Sequence, residues 1–232
     1  MRTFSHPGYK RFLLSVGCLL SIHFTALFFL TLFRLVFFFS ANYDFPDQEH
    51  VGFMSIWPAF IRGVWFDNVI ACYILLIPLV AVSISALFNY YGKILWNVTC
   101  IFFSLFYGIV LLVTAANIPY FQYFFKIINS SVFNWFGYMN TTAGMVFGET
   151  SYYPPLIGFL LTLVLFIWLM RRLIRHFQRL LNTKNPSVFW LDRIYIFLTA
   201  GICIGLCLFG IRGRTGYNPI KVSAAYYCTD PF

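Results

Sequence analysis

An all-α integral membrane fold, with five transmembrane helices and interfacial helices in the external loops, follows from three features of the 232-residue chain. Hydrophobic residues make up 60% of it and charged residues 10%, with a mean hydropathy of +0.78. The apolar residues gather in five runs, each long enough to approach the roughly 20 residues a helix needs to cross a hydrocarbon core. Most of the 16 Lys and Arg flank those runs instead of coating a surface. Seven acids and 16 bases are too few to solvate a globule that must also hide 30 Phe, 15 Tyr and 6 Trp. A soluble enzyme, a disulfide scaffold and a disordered tail are thereby excluded. The net charge of +9 does not point to nucleic acid, because that partner needs a solvated basic face.

The first run, residues 12–40, is interrupted only by His23 and Arg34 and is preceded by Arg2, Lys10 and Arg11. It exceeds the apolar stretch of about 7–15 residues in a cleaved signal peptide and lacks a small-residue cleavage site, so it stays as a span. The second run, 69–88, contains Pro78, and Asn89-Tyr90-Tyr91-Gly92-Lys93 turns it into the third, 94–118, as a hairpin. The fourth, 155–170, continues into a polar helix carrying Arg171, Arg172, Arg175, His176 and Arg179. The fifth covers 194–211, where Gly201 and Gly205 form a small-xxx-small face expected to pack against a neighbouring helix of the same chain. The external loops, 41–68 and 119–154, are so aromatic that they are expected to lie along the outer interface, partly as helices in its plane.

Charge sorts the ends. With the N-terminus inside, Arg2, Lys10, Arg11, Lys93, Arg171, Arg172, Arg175, Arg179, Lys184 and Arg193 fall on the cytoplasmic side. Arg62, Lys126, Arg212, Arg214 and Lys221 fall outside, which satisfies the positive-inside rule and leaves the C-terminus external. Of the seven acids, only Asp192 falls inside. No internal repeat of the kind built into many transporters is evident.

Candidate chemistry is sparse. Cys18, Cys72, Cys100, Cys203 and Cys207 lie in spans and only Cys228 outside, without a pairing pattern; the four histidines share no motif spacing. No metal site, paired carboxylate or Ser/His/Asp arrangement is visible, so no catalytic residue is assigned. Arg34 is more informative, because a guanidinium within a span costs at least about 2.5 kcal/mol unless it snorkels or is paired. Asp67, at the start of the second span, is its natural partner in a structural ion pair. Arg62, Arg212 and Arg214 stand at external span ends, where guanidiniums can hold a phosphate bidentately. Glycines 63, 213 and 216 beside them remove side chains and are expected to let a lipid headgroup approach the backbone.

Together, the five spans, the intramembrane Arg34, the Arg62-Gly63-Val64-Trp65-Phe66-Asp67 run, the Asn117-Ile118-Pro119-Tyr120-Phe121 exit of the third span and the Arg212-Gly213-Arg214 exit of the fifth resemble the membrane domain of bacterial lipoteichoic-acid-synthase-like phosphotransferases, across essentially the whole chain. The resemblance implies a parent enzyme of the sulfatase and alkaline phosphatase superfamily, in which an extracytoplasmic domain uses a threonine and a divalent metal, usually manganese, to move phosphoglycerol from phosphatidylglycerol. Residues 1–211 are then the five-helix domain and 212–232 the start of an external linker, with the catalytic domain absent and this part inactive alone. Its implied setting is the bacterial cytoplasmic membrane. Its implied partners are membrane lipids, phosphatidylglycerol or another anionic phospholipid, and its own external domain. The competing expectation is a noncatalytic polytopic protein: a channel, a flippase or an assembly partner. An open reading frame beyond Phe232 that encodes a soluble domain with a threonine and metal ligands separates the two.

Overall fold

The computed structural model describes residues 6–43, 53–124, 127, 128, 144, 148, 150–181 and 190–212. These form α1 (Pro7–Tyr43), α2 (Phe53–Leu87), α3 (Lys93–Phe124), a 3-10 turn (Thr150–Tyr152), α4 (Tyr153–Leu181) and α5 (Trp190–Arg212). Each α-helix contains a segment long and apolar enough to cross a membrane: Pro7–Ser40, Phe60–Leu87, Lys93–Gln122, Tyr153–Leu181 and Trp190–Arg212. The chain is therefore an all-α, multi-pass membrane protein. At 1.5 Å per residue the 37 residues of α1 extend roughly 55 Å, more than the ~30 Å of a hydrocarbon core, so its ends project beyond it.

Helix α1 occupies the centre and packs on all four others. On one flank lie α2 and α5, packed on each other; on the other lie α3 and α4. Contacts fix the directions. Phe37 meets Phe121 on α3, and His6 and Tyr9 meet Asp192 and Thr199 on α5, so α3 and α5 run parallel to α1. Arg34 meets Asp67 while His23 meets Asn68 on α2, and Phe29 meets Phe166 on α4 while Gly17 approaches Phe177, so α2 and α4 run antiparallel.

The turn after α2 has a specific cause. Asn89 takes a left-handed conformation, φ 54°, which Asn tolerates better than most residues. The Tyr90 amide then donates to Ser85 O at 2.8 Å and the Asn89 amide to Ala86 O at 3.0 Å, satisfying carbonyls that the helix end would orphan. Beyond this turn α2 and α3 diverge: α2 gives most of its packing surface to α5 and α1, and α3 to α4 and α1.

Two expectations need correction. The first is the extent of the first external loop, since residues 53–68 are a continuous extension of α2. Arg62 and Asp67 interrupt the apolar run and hid this, but the carboxylate is neutralised by Arg34. Pro58, the sixth residue of the helix, lacks the amide that would bond to Met54 O, so the helix continues through it with one backbone bond missing. Interfacial helices expected in the second loop fall mainly on residues outside those described. The second correction concerns Gly201 and Gly205. A side chain at either would meet nothing within 4 Å. Helix α5 buries Asp192, Ile196, Ala200 and Cys207, one stripe of the 3.6-residue period, and the two glycines sit on the opposite face.

The core on the α3–α4 flank is aromatic. Phe166 stands edge-on to Phe29, with centroids 6.1 Å apart, and to Tyr107 at 5.4 Å, while Tyr107 stacks on Phe103 at 5.7 Å. Within a bilayer such close packing holds helices together by dispersion, because lipid tails remove the hydrophobic drive.

Candidate functional site

Arg34 and Asp67 meet. Arg34 Nη2 donates to Asp67 Oδ2 at 2.8 Å, and the two side chains keep 24% and 15% of their surface exposed. The slot that admits the guanidinium is made by Gly63, one turn before Asp67 on α2: a Cβ there would fall on the guanidinium itself. Gly63 was expected to open the backbone to a lipid headgroup, but the Arg34 side chain fills that space. Glycine is required here because α1 and α2 share one volume.

Arg62 is exposed on α2 immediately beside this slot, and Arg212 is exposed as the last residue of α5. Two residues before Arg212, Gly210 lies against α2, where an added Cβ would come within 2.7 Å of Cys72 Sγ and 3.6 Å of Asn68 Nδ2. Arg62, Arg212 and the Arg34–Asp67 pair therefore occupy one end of the bundle. Arg214 lies outside the described residues, as do the glycines at 213 and 216. The same end carries exposed Trp57 and Trp65, with Trp57 stacked on Phe60 at 6.4 Å, the amphipathic rings favoured at a membrane interface.

Deeper in the bundle the polar contacts continue through residues that sequence spacing left unconnected. His23 Nε2 donates to Asn68 Oδ1 at 3.1 Å, and the Cys72 thiol reaches the same oxygen at 3.8 Å. Cys207 Sγ donates to the Cys72 carbonyl at 3.2 Å, tying α5 to α2. One signal was present: His23 and Arg34 stand 11 residues apart, three helical turns, and so share a face of α1.

The opposite end holds a second cluster. Asp192, fully buried, accepts from His6 Nδ1 at 2.7 Å, and Tyr9 OH lies 3.2 Å from Thr199 Oγ1. Tyr195 packs edge-on to His6 at 5.2 Å. Arg11 stands over the Tyr91 ring at 6.0 Å. Burial pushes the Tyr91 phenol up to about 12, with the charge of Arg11 pulling the other way. Lys93 and the exposed Arg171, Arg172, Arg175 and Arg179 also belong to this end, with Arg172 lying 5.3 Å from the Trp168 ring centroid.

Among the described residues no group of three His, Cys, Asp or Glu side chains could hold a metal ion. The manganese implied by the resemblance has no ligand set among them. No family model, known protein or solved structure matches this chain.

Proposed function

We propose that this bundle anchors a phosphoglycerol transferase, or one moving a related phospho-headgroup, in the bacterial cytoplasmic membrane. It holds an anionic phospholipid, phosphatidylglycerol or a similar one, at its outer end. One observation carries this reading: Arg34 and the Arg62–Asp67 run, which carry the resemblance, fold against each other at the end that also bears Arg212. Arg62 and Arg212 are exposed at that end, beside the Arg34–Asp67 pair. Guanidiniums suit a phosphate through paired N–H donors, whereas lysine acts as a point charge. The bases of the opposite end are more numerous, which by the positive-inside rule supports a cytoplasmic side for that end and an external one for this. Bond making and breaking would belong to an external domain with its threonine and divalent metal; the bundle supplies the lipid and the anchor.

Native mass spectrometry tests the reading. The protein should retain phosphatidylglycerol over phosphatidylcholine, and Arg62→Ala with Arg212→Ala should remove that preference, while Lys93→Ala at the opposite end leaves it. Equal retention of both lipids by the unaltered protein would leave only helix-end anchoring for these arginines.

A further inference from the structure

Between α1, α3 and α4, on the side of α1 away from Arg34, lies a cleft of about 350 Å³. Val36 and Phe33 of α1, Ile118 of α3, and Pro155 and Gly158 of α4 form its walls. Its cause is local. Below it α3 and α4 close tightly, with Gly108 against Leu163 and Tyr107 against Phe166. Above, Gly158 offers no side chain, and a Cβ there would meet nothing within 4 Å, so the helices border a half-open groove that neither fills. Thr162 spends its hydroxyl on Gly158 O at 2.7 Å, which leaves the interior apolar. At the rim Gln122 Nε2 donates to Ser40 Oγ at 2.9 Å, and these two residues end the membrane-crossing segments of α3 and α1.

We infer that this cleft takes one acyl chain of a diacyl phospholipid from the leaflet at the Arg34 end. The dimensions select that occupant. From Ser40 at the rim to Leu32 at the floor is eight residues of α1, about 12 Å, close to the roughly 15 Å depth of one leaflet's hydrocarbon. A second copy of the chain would have to insert a helix about 10–12 Å across, which a 350 Å³ space does not admit. An apolar interior beneath a polar rim at the interface matches a tail below its ester and headgroup. The inference rests on the membrane reading of the helices, and only the identity of the headgroup rests on the proposed function.

The test uses the whole chain in phosphatidylcholine vesicles doped with a phosphatidylcholine carrying a diazirine at mid-chain. After irradiation, adducts are mapped by peptide mass spectrometry. Phe33 and Ile118 expose only 6% of their surface each, so bulk lipid seldom reaches them, whereas Phe197 and Ile202 are 67% and 62% exposed and report simple contact with the bilayer. Adducts on Phe33 and Ile118 well above those on Val16 and Ile74, which are equally buried at 6% but lie outside the cleft, are expected. Gly158→Phe, which places a ring in the cleft, should lower them about tenfold and leave Phe197 and Ile202 unchanged. Absence of adducts at Phe33 and Ile118, or their persistence in Gly158→Phe, overturns the inference. Should Gly158→Phe not fold, Val36→Trp blocks the facing wall to the same end, and the adduct ratio in the unaltered protein decides by itself. The probe is zwitterionic, so a failure of phosphatidylglycerol preference does not alter this result.

Discussion

Removing the Arg34 side chain leaves the Asp67 carboxylate in the bundle without the guanidinium that faces it. Breaking a buried pair from one side costs about 3–5 kcal/mol. Here the partners keep 24% and 15% of their surface, which moves the cost toward about 1–3 kcal/mol. Arg34→Leu and Asp67→Asn should therefore each lower the melting temperature in detergent. The double variant should lose less than the sum of the two, with a coupling on the order of 1 kcal/mol; additive losses would show that the pair does not hold α1 to α2. Gly63→Ala should be as damaging as either, because its methyl takes the guanidinium's place, and in an Arg34→Leu background most of that penalty should vanish. At the opposite end, Tyr91 makes stability depend on alkaline pH. Its phenol ionises near 12 when folded against an ordinary 10, so its contribution is intact below 10 and is lost as pH rises from 10 to 12. Tyr91→Phe should flatten the fall in melting temperature over that window, and an unchanged profile would show that the phenol is not held neutral by burial. Arg34 and Asp67 were legible as a pair because a charge inside a span needs a partner. Gly63 was not legible, because a missing side chain looks the same whether a ligand or a neighbouring helix uses the space.

At the scale of the helix, α5 shows which small residues matter. Gly210 lies in the buried stripe, and a side chain there would press on Cys72 Sγ from 2.7 Å. Gly201 and Gly205 face open space. Gly210→Leu should therefore destabilise the protein by about 1–3 kcal/mol through overpacking of α5 on α2. Gly201→Leu and Gly205→Leu should leave the melting temperature of the monomer within about 0.5 kcal/mol of unchanged stability. The reverse ranking would mean that α5 is rotated about its axis. Spacing alone suggested Gly201 and Gly205, since a four-residue interval marks a face without saying what lies opposite it. The existence of all five helices was plain from apolar length. The start of α2 was not, because Pro58, Arg62 and Asp67 break an otherwise apolar stretch that reads as loop until Arg34 is seen to neutralise Asp67. The His6–Asp192 contact, which joins residues 186 apart, left no local trace at all.

For the whole molecule, direction across the membrane governs everything said of function. The contacts of α1 with its four neighbours collect Lys93, Arg171, Arg172, Arg175, Arg179 and Arg193 at one end and Arg62 and Arg212 at the other. An outer-leaflet headgroup site and a link to an external catalytic domain both require the Arg62 and Arg212 end to face outward. The most direct measurement is a pair of alkaline phosphatase fusions in bacterial cells, one after Leu181 at the end of α4 and one after Phe232. The account predicts an inactive fusion at Leu181 and an active one at Phe232, with a fluorescent protein that matures only in the cytoplasm giving the opposite pattern. Phosphatase activity at Leu181 with none at Phe232 would contradict it, and with it the headgroup site at Arg62 and Arg212.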